Sequence, residues 1–68
     1  MNDEWNRYMG PHITPEQYAA EGGDESTIRR DLMQMWGDPA QGDDYMIPTE
    51  IAHTAQRLAR LLPEEGNP

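Results

Sequence analysis

Two hydroxyls and two guanidiniums are concentrated in the run Ser26-Thr27-Ile28-Arg29-Arg30. Hydroxyls and guanidiniums bind phosphate oxygens, and an arginine can also grip the O6 and N7 edge of guanine through two parallel hydrogen bonds. Shown from one helix, such a set suits the surface of a nucleic-acid duplex. In that helix, expected from about Glu25 to Met35 or Trp36, Ile28, Leu32 and Met35 recur at i, i+4 and i+7 and face inward. Thr27, Arg29 and Arg30 are left outward or to the sides. A plainer role is open to Arg29, because Glu25 precedes it by four residues, the favourable order for a surface ion pair worth about a few tenths of a kcal/mol. Arg30 has no Asp or Glu four residues to either side.

The elements that must hold this helix in place are announced by local signals. Thr14 is a helix N-cap, with Pro15 at the first helical position and Gln17 three residues after the cap. Gly22 and Gly23 end that first helix, and Asp24 caps the second. The spacing is that of a helix-turn-helix, with Tyr18 and Ala19 turned inward. Beyond it, Asp38-Pro39 and Gln41-Gly42 are turn dipeptides, and Tyr45-Met46-Ile47 has strand character. A short two-stranded hairpin is expected over residues 37–47, with a plain loop as the other reading. The last helix opens at Pro48 with Thr49 as its cap candidate. It carries Ile51, Ala55, Leu58 and Leu62 on one stripe and His53, Gln56, Arg57 and Arg60 on the other side. At the other end, Trp5, Tyr8 and Met9 share one face of a short helix over residues 1–10, which Gly10-Pro11 terminates. A core role is preferred for these aromatics because Phe is absent, the alternative being an exposed partner contact.

The run Ser26-Thr27-Ile28-Arg29-Arg30-Asp31-Leu32 resembles the recognition-helix segment of DeoR-type repressors. Tyr45-Met46-Ile47-Pro48-Thr49-Glu50 is similar to the wing strand and helix entry of small excisionase-like winged helix-turn-helix proteins related to MerR. Together the resemblance covers roughly residues 13–62. It implies a DNA-binding domain whose second motif helix enters the major groove, with Gln41 and Tyr45 available from the wing. The chain departs from the pattern twice. Gly23 stands where the turn usually carries an apolar residue, and the wing, usually rich in Arg and Lys, is the acidic run 37–44.

Composition narrows the field. Sixty-eight residues form one small domain, and chains of about this size bury only about 60% of their unfolded surface, so a large active-site cavity is not expected. The absence of cysteine removes disulfides and thiolate metal sites. No nucleophile elbow, phosphate loop or zinc-protease spacing occurs, the two histidines are not placed beside a serine or cysteine nucleophile, and Asp38, Asp43 and Asp44 do not follow calcium-loop spacing. Neither an enzyme, a metal nor a cofactor is expected. Thirteen acidic residues against five arginines and no lysine give a net charge of −8, the reverse of an average nucleic-acid binder. Only a local basic face could engage DNA.

These readings converge on a mainly α chain, a winged helix-turn-helix with a short β-hairpin wing. Residues 1–10 form an N-terminal helical lid, 11–62 the motif domain and 63–68 a disordered acidic tail. The expected function is sequence-specific DNA binding of the excisionase or small transcriptional-regulator type, through Ser26, Thr27, Arg29, Arg30, Gln41 and Tyr45. Double-stranded DNA is the expected partner, bound by dimers or cooperative arrays, in the cytoplasm and without membrane contact. The rival reading is an acidic module of the same fold that binds a protein by mimicking DNA charge.

Overall fold

Helix α1, Asp3–Met9, has only seven residues, too few to persist alone in water. In the computed structural model, which describes residues 3–63, its most deeply buried anchor is Trp5. Trp5 is fully buried, its indole N–H donates to the Ile13 carbonyl at 2.8 Å, and its ring meets the edge of Tyr18 at 5.4 Å between centroids. The core role expected for the aromatic face of this helix is present: Trp5 stands within the buried cluster, and Tyr8 and Met9 pack against it. Gly10, at φ 96°, turns the chain sharply out of α1. Arg57 closes the outer side of this helix by donating to Glu4 at 2.7 Å.

Helix α2, Pro15–Ala20, starts as its sequence requires: the Thr14 hydroxyl accepts from the Gln17 N–H at 3.0 Å and Pro15 occupies the first turn. It ends at Gly22, whose φ of 90° suits a residue without Cβ. Helix α3, Glu25–Trp36, follows after a four-residue turn and is capped reciprocally. The Asp24 carboxylate accepts from the Thr27 N–H at 3.0 Å, while the Thr27 hydroxyl accepts from the Asp24 N–H at 2.7 Å. Gly23 explains the missing apolar residue in the turn. A Cβ at that position would lie 2.1 Å from the Tyr18 ring and 2.8 Å from the Tyr18 carbonyl oxygen, so the space an apolar side chain would fill already belongs to Tyr18.

Helix α4, Pro48–Ala59, lies against α3, and this pair forms the main helix–helix interface. Ile28 and Leu32 from α3 meet Ile51, Ala55 and Leu58 from α4, all fully buried; Trp5, Tyr18 and Met46 complete the cluster. Thr54 is buried beside them, and its hydroxyl accepts from Arg57 at 3.3 Å. Leu62 packs on the cluster from just beyond the helix.

Three local expectations are corrected. Residues 37–47 form no hairpin: Pro39–Asp44 is a 3-10 segment broken at Gly42, and no strand occurs among the described residues. The Asp38 carboxylate accepts from the Ala40 N–H at 2.9 Å and the Asp38 carbonyl from the Gln41 N–H at 2.9 Å. These bonds close the backbone on itself where a ladder would need it extended, and Pro39 has no N–H to offer a ladder. Met35 is 41% exposed instead of inward. In the last turn of α3 it is Trp36 that packs on the core, against Tyr8 of α1, and Met35 lies outside that contact. Thr49 is not the cap of α4. Ile47 holds that position, and the Glu50 carboxylate reaches back to accept its N–H at 3.3 Å. The expected acidic tail falls on residues 64–68, outside the described residues.

Because the Tyr18 ring and its carbonyl both crowd position 23, Gly23→Ala is expected to lower the unfolding free energy by about 1–3 kcal/mol, read as a reduced urea midpoint at unchanged slope. Trp5→Ala is expected to cost about 3–5 kcal/mol, comparable to the whole stability of so small a domain, and to leave a largely unfolded chain by circular dichroism.

Candidate nucleic-acid interface

The side of α3 turned away from α4 is set by the burial of Ile28 and Leu32. Opposite them, Ser26, Arg29, Arg30, Met33 and Gln34 are all exposed, at the i, i+3, i+4, i+7, i+8 spacing of one helix face. This outward face contains no carboxylate. Acidic residues of α3 stand at its flanks: Glu25 and Asp31 are both half-buried.

Each flanking acid is engaged. Glu25 pairs with Arg29 at 3.5 Å, with about half of either side chain open to water. The bond is the surface ion pair foreseen from the i, i+4 spacing, and in that exposure it is worth at most about 1 kcal/mol. A phosphate can replace it at little cost. Asp31 accepts the Tyr18 phenol at 2.8 Å, which directs its charge toward the α2 side of the helix. Arg30 makes no ion pair among the described residues. Arg30 borders a cleft of ≈ 180 Å³ above the turn, together with Tyr18, Glu21, Gly22, Thr27 and Asp31.

The sequence-expected residues do not all converge. Ser26, Arg29 and Arg30 share the outward face. Thr27 does not offer a free hydroxyl, because that group is spent on the α3 cap, accepting from the Asp24 N–H and donating to the Asp24 carbonyl at 2.8 Å. Gln41 is exposed on the 3-10 segment, away from any strand. Tyr45 lines a separate groove with Trp36 at the C-terminal end of α3. Trp36 lies six residues beyond Arg30, about 9 Å along the axis and about a third of a turn around it. Sequence reasoning missed Gln34, although its spacing of four from Arg30 and eight from Ser26 carried the signal. It also missed Met33, which sits between them as an exposed apolar contact able to meet a thymine methyl.

The Tyr18 phenol is pushed up from 10.0 to about 12, chiefly by burial; the hydrogen bond and negative charge of Asp31 act in the same direction, and Thr27 and Arg30 oppose them. In the unfolded chain the phenol ionises near 10. The folded state therefore keeps a proton that the unfolded state has lost, and the stability gained is complete below pH 10 and disappears as pH rises toward 12. Alkaline unfolding titrations of wild type and Tyr18→Phe are expected to show this decline in the first and its absence in the second.

No protein-family model matches the chain, and neither a curated protein nor a solved structure is similar to it at a significant level.

Proposed function

We propose that the chain binds double-stranded DNA by laying α3 in the major groove, Arg30 being the principal contact and Ser26, Arg29 and Gln34 its neighbours. The observation that carries this reading is the outward face of α3. In a chain with 13 acidic residues, that face holds two arginines, a serine and a glutamine and no carboxylate. Both flanking acids are tied up, one in an ion pair and one under a phenol. The succession of a short helix, a four-residue turn and a twelve-residue helix agrees with a helix-turn-helix reader, and α3 at about 18 Å is long enough to follow a groove.

The same reading sets limits on affinity. Without a basic wing, few phosphates are neutralised per domain and the acidic remainder of the surface repels the duplex. A single copy is a weak grip, so binding is proposed to build up by dimers or arrays on repeated sites.

Fluorescence anisotropy of a randomised duplex pool at low salt tests the proposal. The expected result is saturable binding that weakens steeply with salt, a loss of about ten-fold for Arg30→Ala with an unchanged melting temperature, and a salt slope reduced by about one if that contact is to phosphate. Arg29→Ala is expected to lose less, since its guanidinium must first leave Glu25. No binding at tens of micromolar protein, where non-specific affinities begin to show, would overturn the reading and favour the acidic protein-binding alternative.

A further inference from the structure

At the C-terminal end of α3 a second surface has the opposite character. Tyr8 from α1, Trp36 from α3 and Tyr45 from the segment before α4 wall an open groove of ≈ 430 Å³. Tyr8 and Trp36 are fixed against each other, edge to face with centroids 5.9 Å apart, and the Trp36 indole N–H donates to the Tyr8 carbonyl at 3.2 Å. Tyr45 is 40% exposed. It is held beside Trp36 because the next residue, Met46, donates its N–H to the Trp36 carbonyl. Asp43, Asp44 and Glu50 border the same groove, against a single cation, Arg7. Among the described residues, none of the three carboxylates is ion-paired.

We propose that this groove receives an arginine side chain carried in a basic segment of a partner protein. Three aromatic rings with the free carboxylates of Asp43 and Asp44 beside them, Glu50 being engaged at the α4 cap, match the two needs of a guanidinium, which stacks on a ring face and donates in its own plane. The groove already holds one example of the contact: the Arg7 guanidinium lies 5.8 Å from the centre of the Tyr8 ring. Lysine, a compact and strongly hydrated charge, fits the same walls less well. A phosphate or an anionic lipid headgroup is repelled by the carboxylates. A bound metal ion is not supported, since no group of three or more His or acidic side chains is placed to ligate one among the described residues. The occupant is thus a cationic peptide, and Arg7 is the one local group that opposes its entry.

The groove lies apart from the outward face of α3, so the proposal stands or falls independently of duplex binding. Its test is heteronuclear NMR with three short Gly/Ser peptides that differ at one position, bearing arginine, lysine or the neutral isostere citrulline. The two tryptophan indole N–H signals separate the outcomes, because Trp36 walls the groove and Trp5 is fully buried elsewhere. Expected is saturable binding of the arginine peptide that moves the Trp36 signal and leaves that of Trp5. Citrulline is expected to bind about ten-fold more weakly and lysine to fall between. Tyr45→Ala and the pair Asp43→Asn/Asp44→Asn, all at exposed positions, are expected to weaken arginine binding by about five- to ten-fold. Arg7→Gln is expected to strengthen it, and Arg30→Ala to leave it unchanged. Absence of binding overturns the proposal, as does equal affinity for citrulline. Binding that leaves the Trp36 signal in place, or that survives both groove variants, assigns the attraction to the acidic surface as a whole and overturns it equally.

Discussion

The burial of one indole ring governs this small domain. Trp5 brings a seven-residue helix into a core otherwise built from two longer ones, and its N–H satisfies a carbonyl on the connection that leads into α2. Through its contact with Tyr18 it also backs the helix and turn that precede α3. With no phenylalanine in the chain and only a modest aliphatic cluster, Trp5 is the largest of the fully buried side chains. Tyr18 extends the arrangement outward. Its ring forbids a side chain at position 23, and its phenol holds Asp31, so the same residue shapes the turn and arranges charge beside the proposed contact helix.

The surface divides its charge by location. On α3 the acids stand at the flanks, Glu25 paired with Arg29 and Asp31 hydrogen-bonded by the Tyr18 phenol, leaving an outward face without a carboxylate. Around Trp36 and Tyr45, Asp43 and Asp44 stand beside aromatic rings without an ion pair among the described residues. A net charge of −8 therefore describes neither surface. Two faces of opposite character thus lie on opposite halves of one helix, one proposed to meet a polyanion and the other a basic partner.

What the sequence made legible was what short-range chemistry decides. The caps at Thr14 and Asp24, the stops at Gly10 and Gly22, the Glu25–Arg29 pair and the buried stripe of α4 depend on residues within one or two turns of each other, and all are present. The hairpin failed because a strand needs a partner. Whether Tyr45-Met46-Ile47 finds one is decided by the backbone facing it, and Asp38-Pro39 had already committed that backbone to a turn. Met35 failed because periodicity says which face a residue is on and not where the neighbouring helix stops covering it. The Glu4–Arg57 pair spans 53 positions, and the aromatic groove gathers residues from four parts of the chain. Neither leaves any trace in local spacing. Of the candidate contacts, those on α3 could be read from helical geometry, whereas Gln41 and Tyr45 were assigned through a wing that did not form.

The bond from the Met46 N–H to the Trp36 carbonyl ties the chain to itself on either side of residues 37–45. It supplies one of the unsatisfied carbonyls at the end of α3 with a donor, so the helix stop and the loop exit are a single fastening. Everything between the two anchors is exposed apart from Gly37 and contributes nothing to the buried cluster. In evolutionary terms the acidic loop is a cassette. Its length and sequence can change by mutation or insertion with only the small entropy cost of a longer loop, while α3 and α4 keep their packing. New specificity can therefore be tried out there without putting the fold at risk.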